Sequence, residues 1–202
     1  MNNSVLNFDA LKKYHIILAS RSPRRRELLS GMGIDFEVRH QDLEEIYPPH
    51  LSPKEIPVFL AEQKLSGFNL NEFPDNVLLI GCDTLVFLDQ TAFEKARNET
   101  EAAQMLKQLS GKTHSVISGL CVQTKQRKIT ETVISKVRFK TFSEAEIDYY
   151  IRKYQPFDKA GAYGIQEWLG YIGVESIEGS FYNIMGLPTA TLWKILEKIT
   201  AT

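Results

Sequence analysis

The sequence has little cysteine and no long apolar run. Its 202 residues include only Cys82 and Cys121, which form no CxxC pair, and its first residues lack the basic, apolar and small-residue order of a secretory signal. No apolar stretch approaches the roughly 18 residues that a membrane-spanning helix needs. We therefore expect a reduced, cytoplasmic protein that is not integral to a membrane.

The chain also lacks an excess of either charge. It carries 24 lysines and arginines against 25 acidic residues, so no global basic field exists for a nucleic acid duplex or an anionic membrane. Any polyanion bound here is expected to be small. Walker A, HExxH and GxGxxG patterns are absent, which leaves P-loop ATPase, zinc protease and Rossmann dehydrogenase without motif support. The remaining composition, 43% hydrophobic, predicts one globular domain.

Residues 16–29 begin as an apolar run, break at two serines and a proline, and resume as a segment that starts with arginines. This order predicts a buried strand, a turn, and a helix whose first turn carries hydroxyls, backbone N–H groups and guanidinium groups. Arginines at a helix start oppose the helix dipole, and a bound anion would remove that cost. The segment indicates a phosphate site, with a surface salt-bridge cluster as an equally weighted alternative.

Strands and capped helices alternate along the rest of the chain, which predicts an α/β fold. Helices are predicted over residues 24–32, 53–65, 99–110, 144–153 and after Pro188, and strands over residues 36–39, 77–82, 85–88, 113–122 and 128–142. The last strand alternates apolar and polar residues, so we expect one of its faces to be solvated.

Asp83 and Thr84 directly follow the nearly wholly apolar residues 77–82. A carboxylate at the end of a buried strand is either satisfied by backbone N–H groups or functional at the carboxyl edge of the sheet. Near phosphates, an aspartate coordinates a metal or activates water as a general base. The residues alone leave both interpretations open.

Residues 157–166 combine several small residues with Asp158, Lys159, Tyr163 and Gln166. Ordering so many small residues is entropically unfavourable, which indicates a loop shaped for a ligand. A set of glycine-rich hairpin turns is the alternative.

Six segments together resemble the motif set of the Maf family of nucleoside triphosphate pyrophosphatases, in order and at consistent spacing between Tyr14 and Glu197. They are Ala19-Ser20-x-Ser22-Pro23-Arg24-Arg25, Leu60-Ala61-x-x-Lys64, Gly81-x-Asp83-Thr84, Leu109-Ser110-Gly111-Lys112-Thr113-His114, the segment from Asp158 to Gln166, and Glu178-Gly179-Ser180 through Gly186-Leu187-Pro188. The number of motifs makes the resemblance specific.

The resemblance implies an α/β fold with a long, curved, mixed sheet, flanking helices and two lobes around a cleft, similar to the inosine triphosphate pyrophosphatases. It implies one Maf-like domain over residues 14–202, preceded by an N-terminal extension of residues 1–13. It also implies cleavage of the α–β phosphoanhydride of a nucleoside triphosphate with Mg²⁺ or Mn²⁺. Arg24, Thr84 and Gln166 match the branch that acts on dTTP and UTP, whereas the 7-methyl-GTP branch carries tryptophan, glutamine and glutamate there.

Carried onto this sequence, the resemblance makes Asp83 the proton acceptor for the attacking water and Glu45 a metal ligand. Base specificity is assigned to Arg24, Thr84 and Gln166. Contacts with the triphosphate are assigned to Ser20, Arg25, Lys64 and Lys95.

Two positions depart from the family pattern. Ala96 follows Lys95 where proline is usual, and Glu167 follows Gln166 where glycine is usual. We expect the first to loosen the loop around Lys95, and the second to place a negative charge beside Gln166 that could alter which pyrimidine is preferred.

A nucleotide-binding regulator that restrains septum formation without turnover is an alternative function. An intact Asp83 with Lys64 and Glu45 argues against it, because binding alone needs no base. A nucleic-acid binder is disfavoured by the neutral charge. We expect His114 to be structural or turn-forming, and the aromatic residues Trp168 and Tyr171 to mark either the surface of a homodimer or the rim of the cleft.

Overall fold

The computed structural model describes residues 8–201. The strands are β1 (His15–Ala19), β2 (Glu37–Arg39), β3 (Val77–Leu88), β4 (Thr91–Phe93), β5 (Thr113–Gln123), β6 (Lys128–Phe139) and β7 (Val174–Glu178). The α-helices are α1 (Phe8–Leu11), α2 (Pro23–Gly31), α3 (Ile56–Ser66), α4 (Glu99–Leu109), α5 (Glu144–Tyr154), α6 (Trp168–Gly173), α7 (Phe181–Met185) and α8 (Thr189–Thr200).

The strands form a mixed seven-stranded sheet in the order β2-β1-β3-β5-β6-β7, with β4 paired to β3. Strand β1 runs parallel to both β2 and β3, whereas β4 is antiparallel to β3 and β7 is antiparallel to β6. The predicted α/β class, with a mixed sheet and flanking helices, is confirmed.

Local side-chain bonds explain where the helices begin. The Asn98 side chain accepts the Glu101 N–H at 2.9 Å at the start of α4, and Ser143 forms a reciprocal capping box with Glu146 at the start of α5. Helix α3 begins at Ile56, later than predicted. Pro57 has no N–H to bond to the carbonyl of residue 53, so the first turn after Ser52 does not continue as a regular helix.

The chain divides into two compact units. Unit 1 contains the described residues up to Asp83, Gly119–Val133 and those from Gly186 onward. Unit 2 contains Thr84–Ser118 and Ile134–Met185. A buried apolar cluster in unit 1 includes Ile17, Ala61, Leu65, Leu79 and Cys121. The core of unit 2 includes Val86, Leu106, Val116, Phe139, Ile151 and Tyr163.

Two glycines allow helix α3 to lie directly on the sheet within unit 1. A Cβ atom at Gly81 would lie 2.5 Å from the carbonyl oxygen of Ala61, and one at Gly119 would overlap the backbone of Pro57. Side chains at i and i+2 of a strand share a face, so Gly81 and Asp83 face the same side of β3. Lys64 lies one helical turn after Ala61. This close approach therefore brings Lys64 to Asp83.

Part of the predicted N-terminal extension, residues 1–7, lies outside the described residues. Within the rest, Leu11 of α1 is buried, and the Tyr14 hydroxyl lies 3.5 Å from the Ile199 carbonyl oxygen. The division into an extension and a single domain stays a prediction. Among residues 8–201, none of the helices combines the length and apolarity needed to cross a bilayer.

Candidate active site

Asp83, Lys64 and Glu45 form a cluster of charged side chains in unit 1. The Lys64 ammonium donates to Asp83 Oδ1 at 2.6 Å and forms an ion pair with Glu45 Oε1 at 2.7 Å. Asp83 is only 7% exposed. Within residues 8–201 the Asp83 carboxylate accepts hydrogen bonds through Oδ1 and not through Oδ2. Oδ2 is therefore the carboxylate oxygen that remains for a water molecule.

The position of Asp83 in its strand differs from the prediction. Strand β3 runs without a break from Val77 to Leu88, so Asp83 and Thr84 lie in its middle rather than at its end. An isolated buried carboxylate would be strongly unfavourable in a strand interior. Here Lys64 supplies the opposite charge from α3, so the chain stays in the sheet through Asp83.

The turn after β1 has the predicted order of strand, turn and helix. Ser20 Oγ accepts the Ser22 N–H at 3.1 Å and a guanidinium N–H of Arg25 at 3.4 Å. Ser22 Oγ caps α2 by accepting the Arg25 N–H at 3.4 Å. Arg24 is half-buried in the first turn of the same helix. The hydroxyls and guanidinium groups predicted for a phosphate site are therefore all present at this turn.

The carbonyl oxygen of Gly186 joins this turn to β3. Arg25 Nε donates to it at 2.9 Å, and the Cys82 thiol approaches it at 3.5 Å. Cys82 precedes Asp83, and β1 pairs directly with β3 through Leu18 and Ile80. The structure thus brings Ser20 and Arg25 beside the strand that carries Asp83.

Thr84 and Gln166 belong to unit 2. Thr84 Oγ1 lies 2.7 Å from Ser118 Oγ, which is fully buried on β5. Gln166 Oε1 is buried and has no hydrogen-bond partner within residues 8–201. A buried amide oxygen without a partner is unfavourable, so this atom is a strong candidate to accept a bond from a ligand N–H.

Lys95 is also in unit 2, and its side chain is exposed. Its backbone forms an isolated antiparallel bridge with Ala160, and the preceding Glu94 carbonyl accepts the Gly161 N–H at 3.1 Å. Ala96 is buried in the core of unit 2. The backbone around Lys95 is therefore bonded to Ala160 and Gly161, and the effect of Ala96 on this segment stays a prediction.

We call residues 158–167 the Gln166 loop. Lys159 is 8% exposed, and its ammonium contacts Asp158 Oδ1 at 2.8 Å and Glu167 Oε1 at 3.0 Å. The Tyr150 hydroxyl donates to Glu167 Oε2 and accepts the Gly164 N–H at 2.9 Å. Burial, reinforced by the adjacent Glu167 carboxylate, raises the pKa of Tyr150, which keeps its hydroxyl protonated as a donor.

His114 has the structural place expected of it. It lies on β5 in the core of unit 2, with Nε2 2.8 Å from the Tyr163 hydroxyl and its ring 4.8 Å from that of Phe139. Burial lowers the pKa of His114 to about 4. The imidazole is therefore neutral at physiological pH.

Comparison with known proteins places this chain in a family. The family model for Maf-like protein matches residues 15–199. The chain belongs to the Maf family. The predicted resemblance is therefore confirmed.

Curated relatives match almost the whole chain. A dTTP/UTP pyrophosphatase from Phocaeicola vulgatus is 50% identical over 190 residues, which cover 94% of this chain and 98% of the relative. A protein of the same name from Bacteroides thetaiotaomicron is also 50% identical, with the same coverage. One from Porphyromonas gingivalis is 46% identical over 191 residues, covering 94% of this chain and 96% of the relative.

Two residues near the Maf motifs were missed by the sequence analysis. The sequence does not indicate a role for Ser118, because serine is common on either face of a strand. It does indicate one for Tyr150, because this tyrosine shares the buried face of α5 with Ile147 and Ile151. A tyrosine on a buried helical face needs a partner for its hydroxyl, and this requirement could have identified it.

Proposed function

We propose that this Maf protein hydrolyses dTTP and UTP to the nucleoside monophosphate and pyrophosphate. The observation that carries the proposal is the Asp83 carboxylate, buried and held by Lys64 through a single oxygen, in a chain that aligns from end to end with relatives named dTTP/UTP pyrophosphatase. The protein is a hydrolase of nucleoside triphosphates.

Asp83 acts as the proton acceptor. A water molecule attacks the α-phosphorus and gives its proton to the Asp83 carboxylate, while the bond from the α-phosphorus to the bridging oxygen breaks. The electron pair of that bond leaves with pyrophosphate. Lys64 holds the Asp83 carboxylate in place through its hydrogen bond to Oδ1.

The triphosphate is bound by Ser20, Arg25, Lys64 and Lys95. Arginine forks and lysine ammonium groups neutralise phosphate oxygens, including the charge that develops on the leaving pyrophosphate. The N-terminus of α2, capped by Ser22, adds backbone N–H groups at the same turn.

The carboxylates around Lys64 are the oxygen donors available for a divalent metal ion. Two carboxylates, Glu45 and Asp83, lie within contact distance of the same ammonium. The described residues contain no cluster of three or more His, Cys, Asp or Glu side chains that could hold a metal. Mg²⁺ commonly binds through one or two carboxylates, with substrate phosphates and water completing its shell.

We therefore propose that Glu45, with Asp83 beside it, holds Mg²⁺ or Mn²⁺. When bound, the ion would supply positive charge to the phosphates.

Arg24, Thr84 and Gln166 set the base specificity. Uracil and thymine present the O4 and O2 acceptors on either side of the N3–H donor. The buried Gln166 Oε1 supplies an acceptor for such a donor, and the Thr84 hydroxyl can donate or accept. A base that fails to match these groups leaves buried polar atoms unpaired.

The purified protein should be incubated with dTTP, UTP, CTP, GTP and 7-methyl-GTP in Mg²⁺ or Mn²⁺, and the products identified. The proposal predicts monophosphate and pyrophosphate from dTTP and UTP. Orthophosphate would mean that another bond is cut. Tight binding without turnover would favour the regulatory function.

Cys82 and Cys121 are free thiols, which supports the proposed location in the reducing cytoplasm. The absence of nucleic-acid binding and the formation of a homodimer stay predictions. Tyr171, which is expected to mark either a homodimer surface or the rim of the cleft, is 78% exposed.

A further inference from the structure

The Glu167 carboxylate is fully engaged inside unit 2. Its Oε1 faces the Lys159 ammonium at 3.0 Å, and its Oε2 accepts the Tyr150 hydroxyl. An ionised carboxylate only accepts, and both of its oxygens here have donors. The negative charge that the sequence places beside Gln166 is therefore paired with Lys159 within the protein.

Tyr150 connects helix α5 to the turn that contains Gln166. Its hydroxyl donates to Glu167 and accepts the Gly164 N–H at 2.9 Å, while the Glu167 N–H donates to the Gly164 carbonyl at 3.0 Å. The turn is thus closed by its own backbone and fixed at both ends to one hydroxyl. Gln166 lies between these two fixed points.

Burial makes this arrangement stiff. Lys159 is 8% exposed and Tyr150 is fully buried. Removing one member of a buried charged network leaves its partner without compensation, so alternative positions of the loop are strongly unfavourable. The buried Gln166 Oε1 has no hydrogen-bond partner within residues 8–201 that would orient it. A pre-organised loop holds the amide in one orientation instead.

We propose that Tyr150, Glu167 and Lys159 are positioning residues that fix the Gln166 amide and thereby set the selectivity for the base. The inference rests on the proposed function, in which Gln166 contacts the base. In this chain Glu167 acts through the loop and not as a charge facing the nucleotide.

The test compares Tyr150→Phe with Tyr149→Phe. Both tyrosines lie on α5, but Tyr149 is 43% exposed, and among residues 8–201 its hydroxyl bonds only to the surface residue Lys153. Tyr150→Phe should raise the KM for dTTP about tenfold, change kcat less than threefold, and reduce the preference for dTTP over GTP. Exchange of the Gly164 and Glu167 amides should become faster. Tyr149→Phe should leave all four quantities at wild-type values.

Glu167→Gln provides a second variant in case Tyr150→Phe does not fold. It keeps the shape of the side chain and removes the charge that Lys159 compensates. The same rise in KM and loss of selectivity are expected. A general loss of stability alone would not separate KM from kcat in this way.

A double-mutant cycle with Gln166→Ala separates this inference from the proposed function. If Gln166→Ala lowers selectivity and adding Tyr150→Phe causes no further loss, the positioning role is supported. If Gln166→Ala lowers selectivity but Tyr150→Phe and Glu167→Gln do not, or if the losses are additive, the positioning role is overturned and base contact by Gln166 stands. If Gln166→Ala has no effect on selectivity, the base contact fails, and the inference fails with it.

Discussion

Each unit contains a lysine between two carboxylates, and the two clusters differ in how the buried carboxylate is used. In unit 2, both oxygens of Glu167 have donors, Lys159 and Tyr150. In unit 1, Asp83 meets Lys64 through one oxygen. A carboxylate with every oxygen engaged can only hold structure together, whereas one with an oxygen left over can accept a proton.

The two clusters also differ in the segments that they join. Lys159 contacts its sequence neighbour Asp158 and Glu167, all within the Gln166 loop. Lys64 on α3 joins strand β3 to Glu45, which lies outside any helix or strand and whose side chain is 47% exposed. The cluster in unit 1 therefore has a member that solvent and a metal ion can reach.

The largest effect is predicted for a substitution that removes the proton acceptor of unit 1. Asp83→Asn should lower kcat for dTTP by a factor on the order of 10² or more, because an amide cannot take the proton from water. Nucleotide affinity, measured by calorimetry, should change little. Glu167→Gln is the matched control and should leave kcat within about threefold of wild type. Near-normal turnover by Asp83→Asn would remove Asp83 from the role of base.

The second prediction concerns the stability of unit 2. Lys159→Met should lower the free energy of unfolding by about 2 kcal/mol, because it leaves the Glu167 carboxylate buried without its cation. Urea unfolding gives this quantity. Lys136→Met, which breaks the exposed pair with Glu178, should cost less than about 0.5 kcal/mol. Equal effects of the two substitutions would contradict the structural role of the Lys159 cluster.

The third prediction tests the exposed member of the unit 1 cluster. Glu45→Gln should raise the Mg²⁺ concentration for half-maximal activity about tenfold, since one metal ligand loses its charge. At saturating Mg²⁺ the KM for dTTP should return close to wild type. The exposed Glu44→Gln serves as control. An unchanged Mg²⁺ requirement in Glu45→Gln would exclude Glu45 as a ligand.

The smallest effect comes from His114. Its pKa of about 4 in the folded chain lies below the ordinary 6.5. Between these values the unfolded chain binds the proton and the folded chain does not, so stability falls as the pH drops through this window. The loss attributable to His114 should be about 1 kcal/mol between pH 7 and pH 5.5.

The variant His114→Gln isolates this contribution, because all other groups titrate in both proteins. Its unfolding free energy should depend less on pH than that of wild type over the same range. Parallel pH profiles for the two proteins would show that His114 does not carry this dependence.

Local signals in the sequence predicted much of the fold. The caps at Asn98 and Ser143 are short-range bonds between residues three apart, and both occur as expected. The same holds for the strand, turn and helix around Ser22. The break expected at Asp83 does not occur, because the compensating charge comes from Lys64, which is 19 residues away in the chain.

The Gln166 loop illustrates the same limit. Its small residues correctly indicated a shaped segment, but its anchor is a tyrosine on α5 and its backbone bonds depend on that helix. The short elements α6 and β7 that follow it have no strong periodicity of their own, and pairing with β6 creates the strand. Contacts between segments that are distant in the sequence determine the anchor of the loop and the strand β7, and local sequence patterns do not encode such contacts.

Hydrolysis of dTTP in water enriched in oxygen-18 tests the central claim most directly. If the water activated by Asp83 attacks the α-phosphorus, the label will appear in the monophosphate and not in the pyrophosphate. Label in pyrophosphate would mean attack on the β-phosphorus, and label in released orthophosphate would mean that another anhydride is cut; either result would contradict attack of water on the α-phosphorus.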